Sequence, residues 1–461
     1  MSQHARLTRR IVGLLNARLP DLQLHRMPDH RDPRWVSWPL VTVLRALNTC
    51  LAASCTSLRQ AEELTEQMSL PIRRKLGIRG RIADTTMRTI AAGLEPDDVR
   101  QHMHQQIRAA ARRKALVPDA LPFNVAMLDG KSTALPSCDD HFAQRQSNDS
   151  RLIGLLRTMT CSLVTTTAQP CIDAMFIPAA TNEMGHFRYC VDQLLAAYGS
   201  IDLLRMVAAD AGNCCEANAR HARDVGLHYL FGLKDNQPTL AAEDRYFVSS
   251  LSAAEPRRNV DDTVHCGLVC YPHPSRQARA PPFPRDGVRG RNSFGYRHFN
   301  RWEAAADVLC SPLPPRRGKG PGDGGNKPIW SLTASLHRLS RLSGTGTSLP
   351  ASRLTCAQWL RLVRLMWGVE NAVHCTLDKS MREDEHPWIK ANPKAALVIA
   401  LLRRIAYNLL ALFRSVTLRS EHSRSTPWKR LMRWVELALL TATHHDVAGL
   451  RARDAPASGI S

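Results

Sequence analysis

Apolar residues recur at helical spacing from Trp35 to Leu51, and Ser57-x-x-Gln60 resembles a capping box opening a short helix to about Met68. Asp84-Thr85-Thr86 is placed to cap a further helix running towards Leu94. Roughly the first 115 residues therefore read as short helices separated by turns. The period changes at Phe123. Phe123 to Leu128 is a short, mostly apolar run, expected to be a buried strand that stops at Asp129-Gly130. Thr158 to Thr167 and Cys171 to Pro178, rich in Thr, Val, Ile and Phe, predict two more strands. Asn182 is placed to cap a helix over 183–197, and Leu203 to Ala209 predicts a strand ending on Asp210. A helix through Ala217 and Ala222 and a fifth strand from His228 to Leu233 complete an α/β order of three strands, a helix, a strand, a helix and a strand.

Residues 240–350 break this rhythm. Tyr271 to Pro284 is rich in Pro and Arg, and Pro312 to Pro328 contains Pro314-Pro315-Arg316-Arg317-Gly318-Lys319-Gly320, a composition of exposed basic loops. A helical pattern returns near Leu354, where Thr355-x-x-Gln358 is placed as a cap and Leu360, Val363, Trp367, Val373 and Leu377 form an apolar stripe. Two further helices are expected, from Pro393 to about Val416 and from Trp428 to Thr441. The expected organisation is a helical domain over 1–118, the first part of an α/β core over 119–240, an insertion over 241–352, a helical part completing the core over 353–445, and a tail over 446–461.

Charge adds a partner to this picture. Sixty-two Lys and Arg stand against 41 Asp and Glu, a formal net charge of +21. A surplus of that size is the electrostatic footprint of a polyanion partner such as nucleic acid. In the helical N-terminal part the basic stretch of Arg73, Arg74, Lys75, Arg79 and Arg81 suits a DNA-contacting module, while a helical cap packed on the main domain accounts for the same pattern. No run of about 18 apolar residues is apparent, and the N-terminus lacks the apolar segment of a signal peptide. The expectation is an intracellular protein without a membrane span. Thirteen cysteines, an odd number, fit reduced thiols, and Cys214-Cys215 and His374-Cys375 lack the C-x-x-C spacing of a zinc site.

Candidate chemistry rests on three carboxylates. Asp129 and Asp210 are each expected where an apolar strand ends, a rigid position at the crevice edge of an α/β sheet, and each is followed by small residues. Asp at such a position also serves as a turn or cap residue. Glu370 falls on the stripe of Val363, Trp367, Val373 and Leu377, where a buried carboxylate needs a cation or hydrogen bonds, and His374 one turn on is placed to meet it. A buried Glu–His pair without a catalytic part satisfies the same spacing. Together the three could hold two hard ions such as magnesium, which activate a water or 3′-hydroxyl and stabilise a leaving oxygen.

Four segments carry a family resemblance: Met127-Leu128-Asp129-Gly130-Lys131-Ser132; Ala209-Asp210-Ala211-Gly212 with Glu216-Ala217-Asn218-Ala219; residues 229–240, ending in Lys234-Asp235-Asn236-Gln237-Pro238; and Trp367-Gly368-Val369-Glu370-Asn371-Ala372-Val373-His374 with Leu377-Asp378 and Arg382-Glu383-Asp384. Over roughly residues 30–440 the chain resembles the DDE insertion-sequence transposases, especially the branch of H-repeat-associated proteins. The resemblance implies an RNase H-like catalytic domain with a mixed five-stranded sheet, preceded by a helical domain and interrupted by an insertion before the last catalytic helix. It implies magnesium (with manganese as a substitute), cleavage of mobile-element ends, strand transfer into target DNA, and a homodimer on double-stranded DNA. Asp129, Asp210 and Glu370 match the catalytic, metal-holding positions. Lys131, Lys234, Asn236 and Gln237 match positions expected to contact DNA, and Asn371 and His374 are supporting residues. The chain departs from the pattern at Met366, Cys375, Leu377 and Lys379, so neither hairpin formation nor base flipping is carried over. A catalytically inactive, transposase-derived DNA-binding protein is the alternative.

Overall fold

The computed structural model describes residues 3–119, 121–148, 151–232, 268–270, 300–302, 345–350, 353–418 and 424–448. The chain divides into two compact units, one of Met1–Arg205 with Leu365–Ser461 and one of Met206–Arg364.

In the first unit six helices precede the strands: α1 (Gln3–Arg18), α2 (Leu40–Ala52), α3 (Leu58–Gln67), α4 (Leu70–Leu76), α5 (Asp84–Gly93) and α6 (Pro96–Arg112). The expected helix from Trp35 begins instead at Leu40, because Pro39 sets its N-terminus, and Trp35 lies in a 3₁₀ turn, 82% exposed. The Ser57 cap forms as the spacing predicts. Ser57 Oγ accepts from Gln60 N–H at 3.1 Å, while Gln60 Oε1 accepts from Thr56 N–H at 2.8 Å.

Four strands follow: β1 (Val125–Leu135), β2 (Gln144–Asn148), β3 (Arg151–Leu163) and β4 (Cys171–Phe176). β3 runs antiparallel to β1 along one edge, and its other edge is shared by β2 and β4. β1 does not stop at Asp129. Its continuously buried run, Val125 to Leu128, passes into an alternating pattern in which Lys131, Thr133 and Leu135 are buried. The apolar run ended at Asp129, but the pairing continues from Asp129 opposite Thr160 to Leu135 opposite Gly154. The polar strand β2 carries no apolar signal at all, and its register with β3 defines it.

Helix α7 (Glu183–Tyr198) is capped by Asn182, whose Oδ1 accepts from Gly185 N–H at 2.9 Å. Later in the chain come a π-helical segment (Val369–His374), a short helix (Cys375–Lys379), the long helix Pro393–Leu412 and the helices Trp428–Thr441 and His444–Ala448. The long helix is the centre of this unit. It packs against α2, α5, α6 and β4, so the N-terminal helices do not form a unit of their own. Together with the π-helical turn that follows, it is long and apolar enough to cross a membrane (mean hydropathy 1.8), yet 94% of that window is buried within the chain, as in a core helix. Arg403 and Arg404 interrupt it, so it is not an unbroken run of 18 apolar residues. Asn408 on this helix completes the edge of β4, donating to Cys171 C=O at 2.7 Å and accepting from Cys171 N–H at 2.8 Å.

The second unit holds β5 (Met206–Ala209) and β6 (His228–Gly232), a parallel pair joined through α8 (Glu216–Asp224). Two short strands, β7 (Leu268–Cys270) and β8 (Asn300–Trp302), pair antiparallel, and β9 (Thr345–Thr347) runs antiparallel to β6. Thr355 and Gln358 form a full capping box on α9 (Cys356–Met366): Thr355 Oγ1 accepts from Gln358 N–H at 3.3 Å and Gln358 Oε1 from Thr355 N–H at 3.0 Å. The two Pro-rich stretches of the expected insertion lie outside the described residues. The class is α/β with mixed strand pairing, and Cys50, Cys55, Cys138, Cys161, Cys171, Cys190, Cys214, Cys215 and Cys375 are free thiols.

An ion pair joins α6 to β4. Arg100 grips Asp173 with two hydrogen bonds of 2.9 Å, and His104 Nε2 lies 2.9 Å from the same carboxylate. Burial pushes the Asp173 carboxyl up, but His104 and Arg100 outweigh it and hold the group well below the usual carboxylate range. Its contribution to stability is therefore fully present above about pH 4, the unfolded value, and is lost as pH falls through the depressed folded value. Asp173→Asn is expected to cost about 3–5 kcal/mol at neutral pH, the range for breaking a buried pair. Urea unfolding from pH 7 down to pH 2 checks this: the variant's stability should fall less steeply in acid, and an acid limb as steep as wild type would contradict it.

Candidate active site

Asp129 stands in the interior of β1, where pairing with β3 fixes its backbone. Its side chain is 24% exposed, and its Oδ2 lies 3.3 Å from Nδ1 of buried His374. That contact joins β1 to the π-helical segment Val369–His374, which packs against both β1 and β3. His374 was expected to meet Glu370, and it faces Asp129 instead. Its Nε2 is buried and has no hydrogen-bond partner among the described residues.

Glu370 is exposed, not buried. The buried line runs through Leu362, Met366 and Val369, one position before the expected Val363, Trp367 and Glu370, and rejoins the expected stripe at buried Val373 and Leu377; Trp367 is 55% exposed. Two apolar lines were available on this sequence, and the wider turn of the π-helical segment adds a residue within it. Glu370 and Asn371 consequently share its solvent side. The placement removes the need for a buried counter-ion at Glu370 and leaves its carboxylate accessible to a ligand.

Asp210 belongs to the second unit. It directly follows β5, as expected, and precedes a 3₁₀ turn, Ala211–Asn213. Asn213 Nδ2 donates to Asp210 Oδ1 at 2.8 Å and orients the carboxylate. Gly212 leaves room for it, since a Cβ there would lie 3.2 Å from Asp210 Oδ1. The glycine after Asp129 has a different use. A Cβ on Gly130 would come within 1.8 Å of Glu183 Oε1, so the first residue of α7 occupies the space the missing side chain leaves.

Lys131 is not presented to solvent as a phosphate contact. Its ammonium donates to Asp378 at 2.5 Å and to Asp384 at 3.0 Å, with Glu383 at 3.9 Å, and the side chain is only 6% exposed. Glu383 in turn accepts from Arg404 at 2.8 Å and lies 3.6 Å from Arg403. Burial pulls the Lys131 ammonium down, but Glu383 and the bonds to Asp378 and Asp384 leave its pKa above the ordinary value. Burial also raises Asp378, with Lys131 opposing it, and the net shift is upward. Sequence reading placed Asp378, Glu383 and Asp384 within a motif without assigning them this role; the signal was three acids close behind a helix that also holds His374. Lys234, Asn236 and Gln237 lie outside the described residues.

Carboxylate oxygens suit a hard divalent ion. Within their own units, and among the described residues, none of Asp129, Asp210 and Glu370 is tied to an arginine or lysine, unlike Asp173 or Glu383. Also among the described residues, no group of three or more His, Cys, Asp or Glu side chains is gathered as a metal-holding cluster. No family model matches the chain, and none of the curated proteins matches it either.

Lys131→Met is expected to act on the fold. It would leave Asp378, Glu383 and Asp384 facing one another and cost about 3–5 kcal/mol in urea unfolding, with DNA affinity unchanged when compared at equal folded fraction. A variant of wild-type stability with weakened DNA binding would instead make Lys131 a phosphate contact.

Proposed function

We propose that the chain is a magnesium-dependent DNA transposase with an RNase H-like catalytic core, in which Asp129, Asp210 and Glu370 hold the metal. The observation that carries the reading is the packing of the Glu370-bearing π-helical segment against β1, with His374 on the Asp129 carboxylate. Two of the four family-like segments, remote in sequence, thus adjoin within one unit. The order of strands and helices from β1 to β6 supports the RNase H-like assignment, with antiparallel β1, β3 and β4 followed by a parallel β5–β6 pair. The net charge of +21 suits a polyanionic substrate.

Asp129, Asp210 and Glu370 would hold the divalent ions, which would supply activation of a water or 3′-hydroxyl and stabilisation of the leaving oxygen of a phosphodiester. The chain's own residues have simpler tasks. His374 holds one oxygen of Asp129, leaving the other for a ligand, and Asn213 does the same for Asp210. Glu370 approaches from solvent, on a segment anchored by buried Val369 and Val373. Double-stranded DNA, as element ends and as target, is the substrate, and a homodimer processes the two ends together inside the cell. A second reading, a transposase-derived DNA-binding protein without catalysis, draws on the exposure of Glu370 and on the departures at Cys375 and Lys379.

Labelled element-end DNA incubated with the protein and magnesium separates the two. Cleavage and joining are expected, and Asp129→Asn, Asp210→Asn and Glu370→Gln should each abolish both while DNA binding survives. Cleavage retained in any one variant removes that residue from the site, and binding without cleavage by the wild type supports the second reading.

A further inference from the structure

Among the cationic residues of the N-terminal helices and the turns between them, two groups contrast. Arg9, Arg18, Arg59, Arg81 and Arg88 pair with Asp446, Asp21, Glu63, Glu62 and Asp84. Arg45, Arg73, Arg74, Lys75 and Arg79 make no ion pair among the described residues. Arg45 and Lys75 meet at one place, a cleft of about 150 Å³ formed by α1, α2, α4 and the start of the turn after α1, and lined also by Leu15, Asn16, Leu19, Pro20 and Leu76. Two like charges share this cleft without a carboxylate on its wall. The three helices contain no Asp or Glu, and Asp21, on the 3₁₀ turn Pro20–Leu22 beside the cleft, is paired with Arg18 and Arg113.

Such an arrangement costs free energy in the isolated protein, because the two cations repel and neither recovers a partner. The C-terminal end of α4 offsets part of that cost for Lys75 through the helix dipole, which accounts for basic residues in its last turn. It does not account for Arg45, which projects from the middle of α2. Nor does it account for Arg73 Nε, which is buried without a hydrogen-bond partner. The cleft is well below the about 300–1,000 Å³ of small-molecule sites, so an organic cofactor does not fit, whereas one phosphate group does. Exposed Arg74 and Arg79 extend the positive surface along α4 and the turn after it. A single free phosphate would leave that extension unused. A duplex backbone, with successive phosphates, uses all of it.

We propose that Arg45 and Lys75 form a phosphate-binding cleft that, with Arg73, Arg74 and Arg79, grips the backbone of double-stranded DNA without reading its sequence. The surface is independent of the carboxylate chemistry. It binds duplex whether or not the chain cleaves it, and Asp129→Asn leaves it intact.

The test is fluorescence anisotropy of a labelled duplex of arbitrary sequence with the full-length protein, repeated across a potassium chloride series. The R45Q/K75Q variant should bind roughly tenfold or more weakly, and its slope of log affinity against log salt should be smaller by about two, at about 0.9 per neutralised phosphate. The charge-conserving R45K/K75R variant should retain most of the affinity. Unchanged affinity and slope in a folded R45Q/K75Q protein would overturn the proposal. Should that variant fail to fold, R74Q/R79Q, altered only at exposed positions, reads the same slope: a loss supports the proposal and no loss overturns it. Tighter binding of single-stranded RNA with the same sensitivity would overturn the assignment to duplex DNA. D129N binding duplex like the wild type keeps this result distinct from any failure of catalysis.

Discussion

Glu383 is 2% exposed and lies among Arg404, Arg403 and Lys131, three cations that would otherwise be buried together. Burial pushes its carboxyl up, yet Arg404, Arg403 and Lys131 outweigh that and keep it ionised, with a pKa below the ordinary value. Arg403 and Arg404 belong to the long central helix, Lys131 to β1 and Glu383 to the turn after the His374 segment. Arg404 also reaches Thr160 of β3, and Arg403 donates to His386 C=O. One buried carboxylate therefore ties together the strand that carries Asp129, the segment that follows Glu370 and the long central helix. Removing one member of such a cluster leaves uncompensated charge in the interior, which is why these elements must fold together.

The same accounting of charge separates structural acids from candidate catalytic ones. Asp173 and Glu383 are fully buried and each is held by arginine. Lys131 is enclosed by acids. Asp129, Asp210 and Glu370 retain solvent access and are oriented, where they are oriented at all, by a histidine or an amide rather than by arginine or lysine. A carboxylate so placed remains open to an external cation. The basic cleft between α1, α2 and α4 is the complementary case, positive charge left without an internal partner.

Much of the architecture was legible because local signals agreed with tertiary ones. The caps at Ser57, Asn182 and Thr355 formed where spacing placed them, and the strand before Asp210 ended where its apolar run ended. The errors have physical origins. β1 continues past Asp129 because a strand can bury a lysine when three acids receive it, and no apolar count anticipates that. The hairpin strand Gln144–Asn148 is polar and is defined by pairing alone. Glu370 fell on the wrong face because two apolar lines one residue apart compete ahead of Val373, where the wider π-helical turn brings them together. The long helix was expected as an element, but its role as the buried centre rests on contacts from segments hundreds of residues earlier, such as Gln106 to Ile405.

Asp129, Asp210 and Glu370 are the proposed ligands of divalent metal. Iron-directed cleavage of the polypeptide tests this assignment most directly, with ferrous ion taking the place of magnesium and peroxide generating radicals that cut the backbone beside the bound ion. Cuts are expected near residues 129, 210 and 370, suppressed by excess magnesium and absent in Asp129→Asn. Cuts elsewhere in the chain, or a pattern indifferent to that substitution, would contradict the assignment.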